Sequence, residues 1–159
     1  MRSGVITVRT ELPRDRLVIR EVLVRAFESD AEARLVDALR GRTDPQISLV
    51  ADDPDAGVVG HILFTPVEIR GDADRSTAIG LAPMAVVPGH QRCGIGSLLV
   101  RAGLAACAAR GERVVVVLGH PDYYPRFGFR RAWDLGLYYG RPGSEPAFMV
   151  CEVDTRSSV

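Results

Sequence analysis

The 159-residue chain contains no lysine and no asparagine. All 20 basic residues are arginine, and 20 acidic residues bring the formal net charge to zero. AT-poor coding DNA would explain both absences. Without lysine there is no ammonium phosphate clamp, Schiff-base former or lysine general base, and protonated histidine aside, every side-chain cation is a permanently charged guanidinium. The balanced charge gives no long-range pull toward nucleic acid or an anionic membrane, so neither is an expected partner. Cysteine is also scarce. Cys93, Cys107 and Cys151 are an odd number at spacings that match no zinc pattern, and no signal sequence opens the chain. These features lead us to expect a reduced, cytoplasmic protein without a metal. No apolar run approaches the roughly 20 residues that a membrane-spanning helix needs. The length suits one domain over residues 1–159, with a frayed polar tail at 154–159.

The patterning predicts a strand over residues 5–12, then a helix over 13–27 with proline in its first turn. A second helix starts at Ser29, carries acids in its first turn and stops at Gly41. Strands over 46–53 and 58–69 read as a hairpin about the turn "DPDAG". A strand over 78–88, a helix from about 95 to 110 and the apolar strand 113–119 form a βαβ crossover. A short turn at 121–126, a strand at 129–137, a Gly/Pro loop and a last strand at 147–153 complete the order βααβββαβαββ. The expected class is α/β (α+β), with a mixed, mostly antiparallel central sheet, one crossover and flanking helices.

Between the strand ending near Val87 and the following helix lies "GHQRCGIGS", a glycine-bearing turn of the kind that cradles phosphates. A P-loop needs lysine after the second glycine of G-x-x-x-x-G, and Ile95 stands there. The dinucleotide fingerprint G-x-G-x-x-G finds Gly94 and Gly96 but meets Leu99 at its third position. It also wants an acid at the end of the next strand, where this chain has Val117-Leu118-Gly119. The remaining pattern, Q/R-x-x-G-x-G/A, is matched by "QRCGIG" from Gln91 to Gly96. In that pattern a row of backbone N–H groups opens a helix, and glycine lets a pyrophosphate approach without a Cβ in the way. A ligand-free strand-to-helix turn explains the same six residues.

The order of elements separates these readings. From "AFESDAEARLVDALR" through "VVGHILFTPVEI" and "LAPMAVVPGHQRCGIGSLLVRAGL" to "VLGHPDYYPRFGF", the chain resembles the GCN5-related N-acetyltransferase (GNAT) superfamily, and within it the bacterial YhbS-type branch. The resemblance implies the acyl-CoA N-acyltransferase fold, acetyl-CoA as cosubstrate and an amine acceptor, either a small molecule or a protein. It also implies main-chain contacts to the pantetheine arm from Met84, Ala85 and Val86. The pyrophosphate falls to the N–H groups of Arg92, Cys93, Gly94, Ile95, Gly96 and Ser97, with Gln91 opening the loop. Pro83 and Pro88, lacking N–H groups, suit a strand whose pairing is interrupted.

The resemblance further makes Tyr124, four residues before the glycine of "YYPRFGF", the proton donor to the departing thiolate. An unperturbed phenol, pKa about 10, is protonated near neutral pH. Tyr123 is the competing choice, with packing or substrate contact as its expected role. The amine attacks the thioester directly, so Cys93 need not be a nucleophile. The general base stays open among Glu28, Glu68, His120, a water relay and an amine that arrives neutral. His61 is expected to be a satisfied packing residue. Residues 27–42 and 138–146 flank the acceptor cleft in the family, where dimers are common. Set against the enzyme is a non-catalytic acyl-CoA-binding sensor or regulatory module, which needs the glycine turn but no Tyr124.

Overall fold

The computed structural model describes residues 4–71, 75–140 and 147–154. The expected frayed tail beyond 154 and the loop residues 141–146 lie outside that set. The strands are β1 (Thr7–Thr10), β2 (Ile47–Asp53), β3 (Gly57–Arg70), β4 (Arg75–Val86), β5 (Val114–Leu118), β6 (Arg130–Arg131) and β7 (Phe148–Glu152). The helices are α1 (Arg16–Phe27), α2 (Ala31–Leu39) and α3 (Ile95–Ala109). One seven-stranded sheet takes the order β1-β2-β3-β4-β5-β7-β6. Every pairing is antiparallel except β4 with β5, the pair joined through α3. The expected mixed sheet and crossover are therefore present.

Local chemistry moves several boundaries. Pro13–Asp15 forms a short 3-10 turn, so α1 begins at Arg16 rather than at the proline. The buried Asp15 carboxylate, 3% exposed, accepts the Leu12 N–H at 2.7 Å and two N–H groups of Arg9. These bonds, the guanidinium above all, hold Asp15 below the usual carboxylate range. Ser29 accepts the Ala31 N–H at 3.2 Å, which delays α2 by two residues. The strand expected at 129–137 keeps only Arg130–Arg131. Beyond it Ala132–Leu135 closes into a 3-10 turn, stopped by Gly136 at φ +77° and braced by the Arg131–Asp134 ion pair at 2.8 Å.

Helix α3 packs against β3 through matched shapes. The Phe64 ring, fully buried, lies over Gly103, where a Cβ would stand 2.1 Å from Cε2. Only glycine permits this approach. By the twofold alternation of a strand, His61 points to the opposite face from Ile62 and Phe64. It is completely buried, and its Nε2 lies 2.9 Å from Ser48 Oγ. Its Nδ1 is buried without a hydrogen-bond partner, so the expectation of a satisfied packing residue is only half met. Burial pushes the imidazole down to about 4; the charge of Glu11 opposes that shift and that of Arg40 adds to it.

The feature that positions the site is where β4 leaves β5. Their parallel pairing runs only over Ile79↔Val115, Gly80↔Val116 and Leu81↔Val117. At the same point the register with β3 jumps from Phe64↔Leu81 to Ile62↔Met84, so Ala82 and Pro83 together oppose Leu63. Such a bulge bends the strand that carries the extra residue. Pro83 has no N–H to offer a neighbour. From Ala82 to Val86, β4 keeps its antiparallel partner on one side, and among the described residues no strand pairs with the other. The sheet opens there into a V.

Candidate active site

The V leads into the glycine turn. After β4, residues Pro88–His90 form a 3-10 turn, and Gln91 Nε2 donates to Val86 O at 2.9 Å, tying the turn to the strand end. Arg92 adopts φ +62° and Gly94, the N-cap of α3, φ +83°. The Leu98 N–H donates to Gly94 O at 3.1 Å and is the first to bond within the helix. The N–H groups of Ile95, Gly96 and Ser97 precede it, and no side chain caps them. They form a bare donor row at the positive end of the helix dipole, the arrangement that binds phosphate.

These groups face a pocket of about 400 Å³. Val86, Gln91, Arg92, Gly94, Gly96 and Ser97, six of the residues expected as cofactor contacts, line it. Of the other expected contacts, Ala85 and Ile95 bury their side chains in the core, which leaves them only their backbone to offer. Met84 lies against Gly96, its Cε 3.4 Å from where a Cβ would stand. Cys93 is exposed, and its thiol donates to Gln91 O at 3.4 Å. Nothing in this geometry asks the thiol to react.

The remaining pocket residues, His90, Tyr123 and Arg126, are absent from the site expected from sequence. His90 Nε2 lies 3.3 Å from the Asp53 carboxylate, which also accepts the N–H groups of Asp55 and Ala56. Those backbone bonds, aided by His90, hold Asp53 below its usual range, so it is ionised and anchors the turn to the β2–β3 hairpin. Tyr123 reaches over the helix start. Its hydroxyl lies 3.4 Å from Ser97 Oγ and 2.8 Å from the position of a Gly96 Cβ. Arg126 stacks on the Tyr123 ring, 4.5 Å from its centroid. The signal for both lay in "YYPRFGF", but contact with Gly96 is a long-range fact that local sequence does not carry.

The two tyrosines thus occupy different places. Tyr124 does not line this pocket; it is 6% exposed and packs edge-on against Tyr123, Phe127 and Phe129. Its ring rests on Gly119, where a Cβ would stand 2.4 Å from Cε2. Gly119 directly follows the end of β5, beside the vertex of the V. No hydrogen bond engages the Tyr124 hydroxyl among the described residues. Burial, with the neighbouring Tyr123, pushes this phenol up to about 12. None of the candidate bases enters the pocket. Glu68 pairs with Arg70 at 2.9 Å on an exposed stretch of β3, Glu28 is exposed at the end of α1, and His120 is exposed after β5. Among the described residues no group of histidine, cysteine and carboxylate side chains could hold a metal ion.

Comparison with known proteins adds independent findings. Residues 14–132 match the model of the Acetyltransferase (GNAT) domain family. The chain is 40% identical over 143 residues to the N-acetyltransferase YhbS of Escherichia coli K12, covering 90% of this chain and 84% of that protein. It is 43% identical over 113 residues to the N-acetyltransferase YjhQ of the same organism, covering 70% of this chain and 62% of that one. The crystal structure of Escherichia coli YhbS in complex with CoA superposes with a TM-score of 0.85 at 35% identity, over 98% of this chain and 86% of that one. A Brucella melitensis acetyltransferase in complex with acetyl-CoA gives a TM-score of 0.75 at 35% identity, over 93% of this chain and 88% of that one.

Proposed function

The chain belongs to the GNAT family of acetyltransferases, and on that premise we propose that the V between β4 and β5 and the glycine turn beyond it hold acetyl-CoA. The protein is an acetyl-CoA-dependent N-acetyltransferase whose acceptor is an amine. The observation that carries the reading is the conjunction of two features: a strand with one open edge from Ala82 to Val86, and the uncapped N–H row of α3 that follows it. An extended pantetheine arm fits along the first. A pyrophosphate fits the second. The contacts fall to the backbone of Met84, Ala85 and Val86, to Gln91 at the loop entry, and to the N–H groups of Arg92, Cys93, Gly94, Ile95, Gly96 and Ser97.

With its phosphates at the turn, the donor extends toward the vertex, and its thioester comes to lie near Gly119 and Tyr124. That separates the tyrosines. Tyr123 is engaged at the phosphate end, by Ser97 and Gly96. Tyr124, whose phenol has no hydrogen-bond partner among the described residues, serves the thioester end. The reaction forms a bond from the amine nitrogen to the acetyl carbon and breaks the carbon–sulfur bond. The nitrogen gives up a proton to water or a base. Burial raises the Tyr124 phenol, so it stays protonated at neutral pH and can donate to the departing thiolate.

The acceptor, a small-molecule or protein amine, enters from the opposite side of the thioester. The reading extends to a single domain over residues 1–159, to a cytoplasmic setting and to a homodimer. No helix of the described residues is long and apolar enough to cross a membrane. Thiol release from acetyl-CoA, assayed with a panel of amines for wild type, Tyr124→Phe and Tyr123→Phe, tests the catalytic claim. Tyr124→Phe is expected to lower kcat about 10- to 100-fold with little change in KM for acetyl-CoA, the range for losing one positioned donor. Tyr123→Phe leaves kcat near wild type. Tight binding of coenzyme A with no turnover on any amine identifies a sensor module instead.

A further inference from the structure

A coenzyme A pyrophosphate brings two negative charges to a turn that has no lysine. The N–H row and dipole of α3 supply only about half a unit of positive charge. Arg92 stands on the turn itself. The other guanidinium in the pocket lies across from it, on the segment after β5.

We propose that Arg126, held over the Tyr123 ring, is a ligand of the donor pyrophosphate from the wall facing the glycine turn. This deepens the donor-site reading and rests on it. Arg126 Nε donates to Tyr123 O at 2.9 Å, and one Nη2 N–H reaches toward Asp122 O at 3.4 Å. A guanidinium carries five N–H donors, so most of its charge-bearing edge stays free. Its Cζ sits 4.5 Å from the Tyr123 ring centroid, and this contact with the two carbonyl bonds holds the guanidinium in place, which lowers the ordering cost of meeting an anion. The Tyr123 hydroxyl touches Ser97 and overlies Gly96, so the shelf that carries Arg126 is pinned to the helix start where the pyrophosphate docks. Arg9, Arg20, Arg34, Arg40, Arg70 and Arg131 are committed to carboxylates. Arg126 has no carboxylate partner among the described residues. The Asp53 carboxylate pairs with His90, 3.3 Å from its Nε2. Arg126 therefore offers the pocket a cation without a carboxylate counterion among the described residues.

Binding of coenzyme A and of dephospho-coenzyme A, measured by titration calorimetry on wild type, Arg126→Gln and Tyr123→Leu, tests the assignment. Both compounds carry the pyrophosphate, and only the first carries the 3′-phosphate. Arg126→Gln is expected to weaken both by the same factor, about tenfold, as for one charge-assisted hydrogen bond at an open site. Its melting temperature without ligand stays at the wild-type value, because the side chain is exposed. Tyr123→Leu, which removes the shelf and leaves the charge, moves both affinities in the same direction. Unchanged affinities in Arg126→Gln overturn the proposal, and so does a loss confined to coenzyme A, which assigns Arg126 to the 3′-phosphate. Failure of wild type to bind either compound overturns the donor site itself, an outcome distinct from failure of Arg126 alone.

Discussion

Replacing His61 with glutamine removes a titrating group from the centre of the sheet while leaving a polar tip that can reach Ser48. The imidazole is completely buried, and burial holds it near 4 in the folded chain against about 6.5 when unfolded. Its folded value is depressed, so below about pH 6.5 the unfolded chain binds a proton that the folded chain refuses. Stability is full above that pH, falls on acidification, and stops falling below about pH 4. The gap of about 2.5 in pKa, at 1.36 kcal/mol for each, makes the whole loss about 3 kcal/mol, and about 2 kcal/mol of it has appeared by pH 5. Asp15, held low by Arg9, loses its contribution only as pH drops below the ordinary carboxylate range, so the two windows separate. Urea unfolding of wild type and His61→Gln from about pH 7.5 to 4.5 reads the effect directly. The difference in unfolding free energy between the two proteins is expected to shift by about 2 kcal/mol toward the variant by pH 5. A difference that stays constant over this range refutes the reasoning and means that the imidazole is not held neutral by burial.

Two glycine substitutions separate packing from ligand binding. Gly103→Ala places a Cβ inside the buried Phe64 ring, which has no room to retreat, and is expected to cost about 3 kcal/mol in thermal or urea unfolding; shortening the ring with Phe64→Leu in the same chain recovers part of it. Gly96→Ala meets the Tyr123 hydroxyl at 2.8 Å and the end of Met84 at 3.4 Å, at the pocket rather than in the core, so its cost to the fold is expected to be smaller than that of Gly103→Ala. The new methyl stands where phosphate must approach, and calorimetry is expected to show coenzyme A affinity reduced by about tenfold or more.

Much of this architecture was legible because its signals are local. Alternation at 58–69, the apolar run in β5 and the glycine turn after Val87 each appear within a dozen residues, and together they set the crossover and the phosphate site. The short β6 was misjudged because Trp133-Asp134-Leu135 is apolar enough to read as a strand, whereas Gly136 and the Arg131–Asp134 pair turn the chain away. The V itself had a partial signal in Pro83. The bulge beside it is a matter of register between two strands, which no single stretch encodes. The choice between adjacent tyrosines depends on which ring meets Gly96 and which meets Gly119. His61 read correctly as buried, but its orphaned Nδ1 depends on what β2 and the neighbouring helices bring to it.

Amide hydrogen exchange with and without coenzyme A tests the central claim most directly. Saturating coenzyme A is expected to slow exchange at residues 82–86, along the open edge of β4, and at 92–97, at the start of α3, while β1 and α2 stay unchanged. Saturation of the protein with both segments exchanging as fast as before would place the donor elsewhere and contradict the account.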